Sequence, residues 1–103
     1  NFQLIPGDVL KTIPNFKKKN PGLKISLLNI DIDFVEPTIC VLENFYDNVT
    51  KGGIILFDNY AGRGSSGKYL HGDTKGIDDF LKSKKVKIKR FPFAARPCYL
   101  LKK

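Results

Sequence analysis

The sequence predicts an α/β domain in which two parallel strands, joined by a helix, are closed by an antiparallel strand pair. Two short, nearly unbroken apolar runs, KISLLNID at 24–31 and IILF at 54–57, have the pattern of strands covered on both faces. Between them Ile39, Leu42, Phe45, Tyr46 and Val49 recur at three- and four-residue spacing, the stripe of an amphipathic helix. Strand, helix and strand with short joints make a βαβ unit.

Ahead of that unit, FQLI at 2–5 reads as a strand, followed by the turn PGD and a weak apolar spacing in Leu10, Ile13 and Phe16. Pro14 lacks an N–H and collides with the carbonyl four residues back, which limits a helix there to a turn or two. Pro37 suits the first position of the central helix, and Gly52 and Gly53 are expected to stop it. Residues 61–68, AGRGSSGK, have the composition of a loop. Asp73 suits the N-cap of a short third helix that buries Ile77, Phe80 and Leu81, with Gly76 as its weak point. VKIKRF and CYLLKK, either side of the turn-rich PFAARP, read as the closing antiparallel strands.

With 103 residues the chain makes at most one domain. It contains no Met and opens inside a strand-like stretch, so it is expected to be part of a longer protein whose incomplete sheet favours self-association into a homo-oligomer. No apolar stretch approaches the ~18 residues of a membrane span and no signal-peptide pattern opens the sequence, so a cytoplasmic location is the expectation. Cys40 and Cys98 lack metal-site spacing and read as small buried side chains. The net charge of +8 comes from the tail: from Lys82 onward nine basic residues meet no acidic one. Lys85, Lys87 and Lys89 alternate with Val86 and Ile88, placing three ammonium groups on one strand face. That is the pattern of a guarded edge strand, and it also suits a phosphate-binding patch. No RNP-like aromatic motif accompanies it, which argues against a nucleic-acid partner.

In an open α/β sheet, ligands bind beyond the carboxyl ends of the strands. The first apolar run ends in Asp31, with Asp33 two residues on, and the second ends in Asp58 and Asn59. If the strands are neighbours, these side chains converge on one edge, where carboxylates repel unless a cation joins them. Oxygen-only donors suit a hard ion such as Mg²⁺ or Ca²⁺. Asp and Asn after a strand also serve as helix caps and turn formers, and residue types alone leave both readings open.

NIDIDFVEPT (29–38), a helix, KGGIILFDNY (51–60) and GDTKGIDDFL (72–81), in that order, resemble the C-terminal half of the macrocin-type (TylF-like) O-methyltransferases. PGDVLKTIP (6–14) is a looser match. The resemblance implies part of a Rossmann-like class I methyltransferase fold, and methyl transfer from S-adenosylmethionine, assisted by Mg²⁺, to a hydroxyl of a sugar or other small molecule. It implies Asp31, Asp58 and Asn59 as metal ligands, Asp33 as general base, and Asp8 as the residue that meets the adenine amino group. Tyr60 and His71 stand either at the acceptor pocket or in purely structural roles. Asn59 departs from the family's second aspartate and resembles instead the Mg²⁺-dependent catechol O-methyltransferases. The fold's glycine-rich cofactor turn is missing from the sequence.

Two rival readings remain at this level. GRGSSGK at 62–68 has the G-x-x-x-x-G-K spacing of a phosphate-binding loop, but Tyr69 stands where the Mg²⁺-binding hydroxyl belongs. The other alternative is a non-catalytic Rossmann-like module whose basic tail contacts nucleic acid or a protein partner.

Overall fold

In a computed structural model, which describes residues 1–60, 72–94 and 97–103 (side chains excepted at 72 and 73), Asp8 opens the first helix. Its Oδ1 accepts the Leu10 N–H at 3.0 Å, and α1 then runs Val9–Lys19. FQLI is not a strand: Phe2 and Leu4 are 86% and 81% exposed and no neighbour pairs with them. Nor does Pro14 end α1, although a proline inside a helix costs about 3 kcal/mol. The helix survives because tertiary contact outweighs that penalty. Ile13 packs on the core, and the Phe16 ring meets Phe45 edge-on at 6.3 Å.

Strand β1 (Ile25–Ile30) leads into helix α2 (Val35–Phe45), where Pro37 is third rather than first, still within the turn whose N–H groups have no intrahelical partner. The glycine pair does not stop α2. The helix has already ended in a 3₁₀ turn at Tyr46–Asn48, and Val49, expected on the helix, is the first residue of strand β2 (Val49–Phe57). Tyr46 is buried, and Asn48 Nδ2 donates to Leu23 O at 2.9 Å, which fixes the turn. Gly52 and Gly53 sit inside β2, where the register against β1 shifts between Ile25 and Leu27. Gly52 has φ +85°, and a Cβ on Gly53 would lie 2.9 Å from Thr50 O and 3.1 Å from Ser26 O. The pair serves an irregularity of the sheet.

Helix α3 (Gly72–Leu81) starts one residue ahead of Asp73 and buries Ile77 and Leu81. Gly76 permits its close approach to α2, since a Cβ there would meet Val35 Cγ1 at 2.9 Å. Two short strands follow, β3 (Lys89–Arg90) and β4 (Cys98–Leu101). The sheet order is β1-β2-β4-β3, with β1 parallel to β2 and the other pairs antiparallel, as the sequence predicts. The lysine face is only partly realised: Lys89 is in β3, whereas Lys85 lies in a turn with φ +54°.

Leu42, Ile55, Phe57, Ile77 and Leu100 form the centre of the core, between the sheet and helices α2 and α3. β1 is less covered than its apolar sequence suggests. Among the described residues it has one neighbouring strand, and Leu27 is 58% exposed. Lys102 Nζ donates to Tyr46 O at 3.0 Å and Val49 O at 3.1 Å while lying over the Tyr46 ring, so this tail lysine is structural. Both cysteines are free thiols, Cys98 buried and Cys40 partly so. No described helix is long and apolar enough to cross a membrane.

Candidate functional site

The register of β1 and β2 decides what meets at their carboxyl ends. Ile30 is paired with Phe57, and the Asp58 N–H donates to Ile30 O at 3.0 Å. Asp31 and Asp58 are therefore the next residues on adjacent parallel strands, which lie about 4.8 Å apart. Asn59, only 5% exposed, turns its Nδ2 toward Asp33 and donates to Oδ1 at 2.6 Å. That bond crosses from the end of β2 to the residue just before the Phe34 cap of α2. Asp31 and Asp33 are exposed and Asp58 half-buried, so the edge opens to solvent.

With its nitrogen committed to Asp33, Asn59 presents its oxygen as the acceptor end of the amide. By type, two carboxylates and an amide oxygen are the hard donors that suit Mg²⁺, which binds through one or two carboxylates and keeps several waters; what the structure shows here is the backbone register that makes Asp31 and Asp58 neighbours. Among the described residues no three His, Cys, Asp or Glu side chains, those of Asp31, Asp33 and Asp58 included, gather closely enough to hold a metal ion.

Asp8 is placed elsewhere. Its carboxylate caps α1, and that helix start lies against the middle of α2, where Cys40 Sγ donates to Val9 O at 3.7 Å. Burial first, and then the negative charges of Glu43 and Asp8, push the Cys40 thiol up. The carboxylate that the resemblance assigns to the cofactor thus caps a helix through one of its oxygens.

Beyond Asn59 the chain reaches Tyr60, whose hydroxyl donates to Asp78 Oδ1 on α3 at 2.5 Å. Burial, then that hydrogen bond and the carboxylate's charge, push the Tyr60 phenol up to about 12, against the opposing pull of Arg90. The pair ties α3 to the end of β2. Tyr60 and Asp78 also stand on the wall of a cleft of about 510 Å³ shared with Lys82, Lys85, Lys87 and Arg90. The alternating lysines hint at this cleft in the sequence. Asp78 gives no such hint, because only the packing of α3 brings it to Tyr60. His71 and the 62–68 phosphate-loop spacing lie outside the described residues.

The sequence profile described as macrocin-O-methyltransferase (TylF) matches residues 1–88. Among solved structures, the apo form of CalS11, described as a TDP-rhamnose 3'-O-methyltransferase of calicheamicin biosynthesis, is 31% identical with a TM-score of 0.82 over 95% of this chain and 40% of that one. A second CalS11 structure, described as calicheamicin methyltransferase, is 32% identical with a TM-score of 0.81, over 95% and 36% of the two chains. The O-methyltransferase NovP, at 18% identity and a TM-score of 0.62, covers 77% of this chain and 30% of its own; it shares the fold. The chain thus spans well under half the length of these proteins. No curated protein sequence matches it.

Proposed function

Because the chain belongs to the macrocin-O-methyltransferase (TylF) family, we propose that it supplies the cation-holding and proton-accepting edge of an enzyme that methylates a hydroxyl of a sugar or similar small molecule. The family implies S-adenosylmethionine as methyl donor, which when bound offers an electrophilic sulfonium methyl. The observation that carries the reading is the pairing of Ile30 with Phe57, since it sets Asp31 beside Asp58 at the open end of the parallel strands. CalS11 acts on a sugar, TDP-rhamnose, by its description, and it is the source of the proposed acceptor class.

Asp33 is the general base in this reading. The Asn59 amide holds its Oδ1, which fixes the carboxylate's orientation and leaves Oδ2 to take the hydroxyl proton. The exposure of Asp33 lets an acceptor reach it. Asp31, Asp58 and the Asn59 amide oxygen would hold Mg²⁺, whose charge favours the alkoxide-like form of the acceptor oxygen. Asp8 is the chain's proposed contact to the adenine amino group, through the carboxylate oxygen that does not cap α1.

The test is a titration of the chain with MgCl₂, followed through the carboxylate carbon signals of Asp31 and Asp58 and by thermal denaturation. Both signals are expected to move together at millimolar Mg²⁺, with a rise in Tm that Asp58→Ala abolishes. An unchanged spectrum at millimolar Mg²⁺ would overturn the metal assignment.

A further inference from the structure

The basic tail does not spread evenly over the surface. Lys82 follows α3, Lys85 and Lys87 lie in the connection beyond it, and Arg90 belongs to β3, yet all four line the cleft of about 510 Å³. That volume is in the range of small-molecule pockets. Four basic side chains share the lining with one carboxylate, Asp78, which accepts the Tyr60 hydroxyl.

The cleft also lies at the functional end of the sheet. Arg90 pairs with Cys98, which pairs with Phe57, the residue before Asp58. Tyr60, on its wall, directly follows Asn59. A concave surface with cations from the α3–β3 connection and from β3 gathers negative charge far better than an open lysine face does, and a guanidinium binds phosphate oxygens in pairs.

We propose that this cleft binds the diphosphate of a small molecule through Lys82, Lys85, Lys87 and Arg90. The assignment of that diphosphate as the handle of the methyl acceptor, holding a sugar hydroxyl toward Asp33, rests on the function proposed above; the binding itself rests on the cleft alone. The basic lining continues from Lys85 and Lys87 into a neighbouring hollow with Lys89 and Lys103, so single-stranded nucleic acid is the competing ligand that the test separates from a diphosphate held within the cleft.

The probe is inorganic pyrophosphate, titrated calorimetrically into the full chain with EDTA present, so that the acidic edge takes no part. Lys82→Gln, Lys87→Gln and Lys85→Gly are each expected to weaken binding about fivefold, the size of one exposed charge contact. Lys85→Gly is the control for folding. Its left-handed backbone suits glycine, so Tm is expected to hold or rise while pyrophosphate affinity falls. Lys18→Gln with Lys19→Gln, at the far end of α1, is expected to change nothing. Equal losses from the α1 pair, or no pyrophosphate binding at all, would overturn the proposal. So would oligothymidylate binding that survives the cleft substitutions. Loss of the Mg²⁺ response with pyrophosphate binding intact would overturn only the metal assignment, and the reverse result would overturn only this one.

Discussion

Asn59 donates its amide nitrogen to Asp33, and this single bond ties the end of β2 to the start of α2. An aspartate there would set a second carboxylate 2.6 Å from the first in a position only 5% exposed. Asn59→Asp is therefore expected to lose about 1–3 kcal/mol in EDTA, and to recover most of it in millimolar MgCl₂, measured by urea denaturation under both conditions. Tyr60 gives a second handle at this scale. Its folded-state pKa, about 12, exceeds that of an unfolded tyrosine near 10, so the neutral phenol stabilises the fold fully below pH ~10. That contribution is lost as pH rises toward 12. Tyr60→Phe is expected to flatten stability over this alkaline window, and phenolate absorbance is expected to show one tyrosine fewer titrating late. The carboxylates at the strand ends were legible in the sequence because strand, helix and strand repeat a known geometry. The Tyr60–Asp78 bond was not, since it depends on how far α3 rolls against the sheet.

At the scale of elements, local rules were overruled wherever burial had more to offer. Pro14 removes the N–H that would bond Leu10 O, yet α1 continues because Ile13 and Phe16 already have partners. Pro14→Ala is thus expected to stabilise the protein by about 1–3 kcal/mol, with a Tm gain of several degrees in a domain of this size, measured by thermal denaturation. The glycine pair misled for a related reason. Gly-Gly after an apolar helix pattern reads as a stop, but the stop came earlier from Tyr46–Asn48, and the glycines answered to sheet geometry that only the β1–β2 register reveals. Apolar periodicity located α2 and α3 but overran the first, since Tyr46 and Val49 of its stripe belong to the 3₁₀ turn and to β2.

On the scale of the whole molecule, the sheet has an open border. β1 has one hydrogen-bonded neighbour among the described residues, and Leu27 stands 58% exposed there. Such a border takes up a further strand or a second copy. The chain is expected to self-associate with rising concentration in sedimentation experiments, and Leu27→Lys to shift it toward monomer. The sequence predicts an incomplete sheet that favours self-association; it does not tell which strand carries the open edge, since continuous apolar character marks a strand made for two neighbours without saying whether both are present. The bond between Tyr60 and Asp78 also acts across the molecule, because it fastens the residue that leaves β2 to the helix that follows. Whatever length of chain runs between those two anchor points, its ends are already stapled. β2 and α3 are thereby expected to loosen together rather than one at a time.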